Sequence, residues 1–388
     1  MSGLGGKAAI VGIGQTEFSK ESGRSEMQLA CEAVKAAMSD AGLAPSDVDG
    51  MVTFTVDENE EIEVARNVGI KDLTFFTRVP HGGGAAAGTV LQAAMAVATG
   101  VAEVVVCYRA FNERSGFRFG GAGRQPGVTP LWMAPYAPFA LMTPAGWVAL
   151  HAQRYMDAYG VTNADFGKIS VIDRKHAAKN PDAWFYEKPI TLEQHQESRW
   201  IIEPVLRLLD CCQESDGGVA MVVTSVERAR DLAKPPAVIT AAAQGAAYDG
   251  EVMTSYYRDD ITGLPEMGVV GQKLWGDSGL KPSDISTAFL YDHFTPFVFT
   301  QLEELGFCGR GEAKDFVSVD ELSIGGRMPI NTNGGLLGEA YIHGMNGITE
   351  GVRQVRGTSY NQVDDVEHVL VTSGTGVPTS GLILTSDR

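Results

Sequence analysis

The chain has 388 residues, 44% apolar and 20% charged, and a formal net charge of −17. That length suits about two or three domains around a large core, in the balance usual for a globular protein. So acidic a surface argues against nucleic acid or an anionic membrane as the main partner, and no apolar run of about 18 residues is present to span a bilayer.

In chain order, Ala8–Gly14 (AAIVGIG) reads as a strand. No basic region with a long apolar stretch precedes it, so no signal peptide is expected. Ser25–Gln28 (SEMQ) is a capping box that opens a helix ended by Gly42. Asp40–Val48 (DAGLAPSDV) is echoed by Asp277–Ile285 (DSGLKPSDI); each follows a helical stretch and precedes an apolar run, Gly50–Val56 and Thr287–Tyr291. A second pair keeps the same order. Gly82–Tyr108 and Gly334–Ser373 each run from a glycine-rich loop through a helix to an apolar strand. Two ordered pairs predict a duplicated α/β unit with mixed sheets covered by helices. Ala85–Thr99 is apolar nearly all round, which predicts a buried central helix. Residues 111–200 are rich in Gly, Pro, aromatics and Met and read as an irregular insertion, a lid or substrate loop or else a dimer-contact arm. The expected division is 1–110 with 201–232, the insertion 111–200, and 233–388, joined at Ala233–Pro236.

The five cysteines (Cys31, Cys107, Cys211, Cys212, Cys308) show no CxxC or Cys/His metal spacing. No metal is expected, and the odd count points to reduced thiols in the cytoplasm.

The segment Asn331–Gly347 (NTNGGLLGEAYIHGMNG) places Tyr341 between a glycine-rich loop and a helix start. Such a loop lets backbone approach a ligand, and a helix start offers free N–H groups to developing negative charge. Three further motifs stand beside it: Val79–Gly84 (VPHGGG), Tyr291–Phe294 (YDHF) and Ser373–Gly376 (SGTG). In this order they resemble the thiolase superfamily, nearest its sterol-carrier and lipid-transfer-protein branch, across essentially the whole chain. The resemblance implies a layered α-β-α-β-α fold of two mixed-sheet halves. It puts His81 in the place of the nucleophilic Cys, Tyr291 in that of the oxyanion-hole Asn or His, Tyr341 in that of the active-site His, and Ser373, beside Gly374, in that of the second Cys.

Both thiols that acyl transfer needs are therefore replaced. What remains suits a retro-aldol, in which a β-hydroxyacyl-CoA loses its hydroxyl proton and breaks into a ketone and an enolate held by hydrogen-bond donors. Tyr291 and Tyr341 are the expected acid/base pair. Tyr341 is given the proton transfer at the cleaved bond, and Tyr291 the substrate hydroxyl or the thioester oxygen. A phenol titrates near 10, so a base role needs a cation or strong hydrogen bonds nearby. His293 and His343, two residues on from each tyrosine, are supporting candidates with His81, and Asp292 is a structural partner for loop N–H groups. The backbone at Gly334, Gly335 and Gly344 and the basic cluster Arg174, Lys175 and Lys179 are the expected binding sites for substrate and coenzyme A.

This pattern looks like the thiolase-like aldolases of bacterial steroid side-chain degradation. That resemblance implies a 17-hydroxy steroid 20-carboxyl-CoA substrate, 17-ketosteroid and propionyl-CoA products, and no cofactor beyond the coenzyme A of the substrate. It also implies a homodimer and a partner with a DUF35-type OB-fold domain, at times fused to a hydratase. The competing expectations are an inactive thiolase-fold scaffold that binds acyl-CoA, and a sterol-carrier-type thiolase.

Overall fold

A computed structural model describes residues 3–116, 118, 133–252, 254–374 and 379–387. The first half runs β1 (Ala8–Gln15), α1 (Glu26–Ala41), β2 (Gly50–Phe54), α2 (Glu61–Val68), β3 (Phe75–Val79), α3 (Ala86–Thr99) and β4 (Val104–Asn112). After an excursion through α4 (Pro144–Tyr159), α5 (Asn163–Ala177), α6 (Leu192–Glu197) and the ribbon of β5 (Trp200–Ile202) and β6 (Leu206–Arg207), it closes with β7 (Asp216–Ser225) and α7 (Val226–Ala229). The second half runs β8 (Ala237–Gly245), α8 (Pro265–Ser278), β9 (Thr287–Phe289), α9 (Thr295–Glu304), α10 (Ala313–Phe316), α11 (Gly335–Gly338), α12 (Met345–Arg356), β10 (His368–Ser373) and β11 (Thr379–Ser386).

The main sheet has the order β3-β2-β4-β7-β1-β8-β11-β10-β9. The halves join at β1 and β8 through only two residue pairs, Ala9 with Val238 and Ile10 with Ala237. About that seam the two halves repeat each other, β4-β7-β1 on one side and β10-β11-β8 on the other. The echoed segments form matching 3-10 turns at Pro45–Asp47 and Pro282–Asp284. The resemblance to thiolases carries an expectation of five strands in each half. Among the described residues the second half has four, and its fifth position is a single bridge from Ala288 to Ile330. Pro329, next to Ile330, has no N–H to extend that ladder.

Ser25 accepts from the Gln28 amide at 3.1 Å to open α1, and Gly42 ends it with a φ of 72°. Helices α3 and α12 lie between the two halves of the sheet in one apolar cluster; α1 and α2 cover one outer face, and α8 and α9 the other. The layers are therefore α-β-α-β-α.

The insertion departs from the expected irregular loop. Thr143 caps α4, with Pro144 at its favoured first position. Val148 and Tyr155 of α4 and Phe166, Ile169 and Ile172 of α5 then bury in the second-half core. Glycine and proline cluster near 116–147, and regular apolar spacing resumes behind them. Within the insertion 111–200, where a lid or substrate loop was expected, residues 117 and 119–132 lie outside the described residues.

Candidate active site

Tyr291 follows β9. Its amide donates to Thr372 Oγ1 at 2.9 Å and to Gln301 Oε1 at 3.2 Å, and its carbonyl accepts from Gln301 Nε2 at 2.8 Å. Tyr341 lies on the turn between α11 and α12, its amide donating to Ser215 Oγ at 3.1 Å. These anchors bring the two phenol hydroxyls, 50 residues apart in sequence, to 3.0 Å with the rings edge to face. Tyr291 is buried and Tyr341 partly exposed.

Glycines shape the space around the pair. A Cβ on Gly83 would stand 1.6 Å from the Tyr291 hydroxyl, and one on Gly344 would stand 2.9 Å from the Tyr291 ring. Gly374, with a φ of 74°, presses on Gly84, where a Cβ would come within 2.2 Å. Thr375 and Gly376 of the same motif lie outside the described residues.

Burial is the main cause pushing both phenols well above 10, and negative charge at Cys212 and Glu113 would add to it. Among the described residues each hydroxyl has the other as its hydrogen-bond partner. The cation that a phenolate base requires is therefore not among the bonded neighbours, and burial keeps both groups as protonated phenols, one donating to the other.

Burial disfavours the charged forms of His293 and His343. Arg109 is buried, salt-bridged to Asp57 at 2.8 Å, and its Nε donates to His343 Nδ1 at 3.1 Å. Because a guanidinium only donates, His343 carries its proton on Nε2, the side facing the Gly82 loop, where a Cβ would lie 3.5 Å away. Its ring stacks on Phe111 at 4.9 Å, and burial and the Arg109 charge hold its pKa well below 6.5. His293 packs 4.9 Å from the Tyr291 ring, and burial lowers its pKa to about 3. His81 has a left-handed φ of 68°, uncommon for a residue with a side chain. Its amide donates to Thr55 Oγ1 at 2.8 Å, so its fixed part anchors the glycine loop.

Other expected site residues have structural work. Asp292 accepts from the Leu336 and Leu337 amides at 2.9 and 3.0 Å, opening α11, and burial raises its pKa to about 6. Asp173 is buried beside it, its carboxyl pushed well above the usual range by burial and the Asp292 charge. Ser373 accepts from the Ala87 amide at 3.1 Å, at the first turn of α3. Gly334 and Gly335 do not line open space: a Cβ there would meet Ala177 at 2.5 Å and the Asp292 carboxylate at 2.3 Å. The basic cluster is not the expected unit either. Arg174 donates to the Lys188 carbonyl at 2.6 Å and stacks on Phe185 at 3.6 Å, while Lys175 is half-buried and Lys179 exposed. The Arg174 guanidinium satisfies a carbonyl inside the fold.

All five cysteines are free. Burial raises Cys107 and Cys308 to about 12 and pushes Cys31, Cys211 and Cys212 up. None is a thiolate of the kind acyl transfer uses.

Arg109, Glu113 and Lys20 escape a motif search, since each reaches the site from a distant segment. One signal does exist for Glu113. It directly follows the apolar strand β4, and ligands of α/β sheets gather at carboxyl ends of strands.

The thiolase C-terminal domain-like family matches residues 245–385. A steroid side-chain-cleaving aldolase of Thermomonospora curvata is 70% identical, over all of both chains. A 17-hydroxy-3-oxo-4-pregnene-20-carboxyl-CoA lyase of Mycobacterium tuberculosis is 65% identical over 98% of this chain and all of its own. Among solved structures, an Ltp2-ChsH2(DUF35) aldolase superposes with a TM-score of 0.95 at 69% identity, covering all of both chains. Human mitochondrial 3-ketoacyl-CoA thiolase in complex with CoA shares the fold, with a TM-score of 0.70 at 16% identity over 99% of this chain and 98% of that one. With its thiols replaced and its relatives so close, the chain belongs to the thiolase superfamily, in the branch of steroid side-chain-cleaving aldolases.

Proposed function

We propose that this chain is a lyase that cleaves a tertiary β-hydroxyacyl-CoA of the 17-hydroxy steroid 20-carboxyl-CoA type into a 17-ketosteroid and propionyl-CoA. The observation that carries this reading is the pair of phenol hydroxyls 3.0 Å apart in a glycine-walled site. Retro-aldol cleavage moves the hydroxyl proton away, breaks the bond from the carbinol carbon to Cα, and places its electron pair in a thioester enolate that is then protonated at Cα. No covalent acyl intermediate forms, so no thiolate is needed.

Tyr341, the more exposed phenol, touches the substrate and transfers the proton at the cleaved bond. Tyr291, buried behind it, holds and reprotonates it. Donors already in place for a developing oxyanion lower its energy without reorganisation. The raised thiols disfavour the acyltransferase alternative, and two juxtaposed phenols disfavour an inert scaffold. No cofactor beyond the substrate's own coenzyme A enters this chemistry.

A DUF35-type partner fits, since the solved structure at 69% identity is an Ltp2-ChsH2(DUF35) aldolase. A homodimer through the first half fits the outer strand β3, where Phe76 is 58% exposed beside a groove of about 550 Å³ lined also by Ile62 and Leu73. Free thiols fit the cytoplasm, and no described helix is long and apolar enough to cross a membrane.

The test is incubation with 17-hydroxy steroid 20-carboxyl-CoA and with other acyl-CoAs, with and without a DUF35-domain protein, followed by product mass analysis. Release of a 17-ketosteroid with propionyl-CoA is expected. Intact steroid ester in every mixture, or acyl transfer to free coenzyme A, would overturn the reading.

A further inference from the structure

Two donor phenols leave a retro-aldol without a proton acceptor. His293 and His343 are held neutral with low basicity, and the Asp292 carboxylate is occupied by two amides. One wall of the site holds a different group. Cys212 donates its amide to the His293 carbonyl at 2.8 Å, Gln213 donates to the Leu336 carbonyl at 3.4 Å, and Ser215 accepts from the Tyr341 amide. Residues 212–215 thus run along the segments that carry both tyrosines. On their other side lies the end of β4, where Asn112 pairs with Asp216 and Glu113 follows.

Glu113 is 3% exposed, and among the described residues its Oε2 has no hydrogen-bond partner. The Nε2 of Gln213 is likewise buried and unpartnered. Lys20 reaches into this wall, donating to Gln213 Oε1 at 2.8 Å and to the Glu214 carbonyl at 2.5 Å. Buried polar atoms are nearly always satisfied, so these two unpartnered atoms, one on Glu113 and one on the Gln213 that Lys20 bonds, mark places for water or substrate. The charge of Glu113 is felt at both phenols.

We propose that Glu113 exchanges the reaction proton with the Tyr291–Tyr341 pair and that Lys20 supplies its counter-charge. This rests on the retro-aldol reading. As Tyr341 takes the hydroxyl proton it passes its own to the Glu113 carboxylate through the pair; the carbon–carbon bond breaks into ketone and enolate, and the same proton returns through the pair to Cα. The enzyme ends with the proton count it began with. Glu113 acts through the tyrosines and is a positioning residue for their protons.

Burial, Glu214 and Asp216 raise the Glu113 carboxyl, while Arg109 and Lys20 lower it; Cys212, Tyr291 and Tyr341 face it without fixed charge. The share of reactive carboxylate then grows as pH rises through this raised pKa, which predicts an acid limb in kcat/KM.

The experiment compares the full-length wild type with E113Q, E113D and K20M on 17-hydroxy steroid 20-carboxyl-CoA across pH, with circular dichroism of each variant. E113Q should lose about 10²–10⁴-fold in kcat with a native spectrum and KM within about 3-fold, and its residual rate should have no acid limb. E113D should keep the limb, and K20M should move it to higher pH. Normal rates in E113Q, or a slowed E113Q that retains the wild-type limb, would overturn the proposal. If E113Q is misfolded, K20M decides: an unmoved limb overturns it. A wild type inert on this substrate under every condition would overturn the retro-aldol reading itself, and the inference with it.

Discussion

Replacing each tyrosine of the pair with phenylalanine separates chemistry from stability, because the two hydroxyls differ in exposure. In Tyr341→Phe the Tyr291 hydroxyl stays buried and loses its partner, at a cost of about 1–3 kcal/mol of folding stability. In Tyr291→Phe the residue left behind, Tyr341, is partly exposed; if water reaches its hydroxyl, only the net bond of about 0.5–1.5 kcal/mol is lost. The double variant removes donor and acceptor together and should be no less stable than Tyr341→Phe alone, a coupling that a double-mutant cycle measures. Activity should follow a different scale. A loss of about 10²–10⁴-fold is about 2.7–5.4 kcal/mol in the barrier, at or above the top of either stability range, and the double variant should lose little beyond the single ones. Steady-state turnover of the steroid CoA ester and urea unfolding on the same preparations give both quantities. Rates within about threefold of wild type in both single variants would refute the shared-proton site. Losses that vanish under conditions restoring full folding would refute it as well.

Gly83→Ala puts a methyl carbon onto the Tyr291 hydroxyl position and should cost about 1–3 kcal/mol of stability by overpacking, with turnover falling as far as in Tyr291→Phe; near-normal kinetics would show that this wall yields. Replacing all five cysteines with Ser or Ala should leave turnover largely intact in a folded protein, and loss traced to one position, Cys212 above all, would bring sulfur back into the chemistry. Arg174→Glu should lower stability by abandoning the Lys188 carbonyl and the Phe185 ring, whereas Lys179→Glu should leave both stability and acyl-CoA affinity unchanged; equal weakening of acyl-CoA binding by both would restore the basic cluster as a phosphate site. His176 and His293, lowered to about 4 and about 3 in the fold, bind protons first in the unfolded chain. Their contribution is complete above about pH 6.5 and is lost as pH falls through those values. Asp292 and Glu339, raised to about 6 and about 7, act in the opposite sense, their contribution complete below the ordinary carboxyl range and lost as pH rises. The urea midpoint should therefore change gently between pH 4 and 6.5, and His176→Gln should remove up to about 1.4 kcal/mol per pH unit of its acid-side fall; an unchanged profile would show that this imidazole is not held neutral.

What the sequence made legible was local. The Pro-Ser-Asp turns, the Ser25 cap and the apolar run of α3 follow from neighbouring residues, and they located the duplication. Tyr291 and Tyr341 were legible because each stands inside a short motif whose frame is intact. The missing fifth strand of the second half depends on Pro329, which reads as an ordinary turn residue until its neighbours are known. Gly334 and Gly335 look like a ligand loop, but Gly334 abuts Ala177 of α5, more than 150 positions away, and Gly335 the Asp292 carboxylate. Arg174 looks like part of a charged surface because nothing local shows that Lys188 and Phe185 fold back over it. Glu113, Lys20 and Cys212 come together from three separate segments, and only the sheet order brings them to one wall.

The serine that replaced a family cysteine has a consequence for motion. Ser373 and its neighbour across the hairpin, Ser380, accept from the Ala87 and Gly88 amides, and Ser380 donates to the Gly84 carbonyl. The first turn of the central helix is thereby tied to the last two strands of the other half. Releasing it means parting the halves at their shared core, so the floor beneath Tyr291 has no small local opening available. In deuterated solvent the amides of Ala87 and Gly88 should then exchange among the slowest in the chain, at the rate of global unfolding, while exposed loops exchange early.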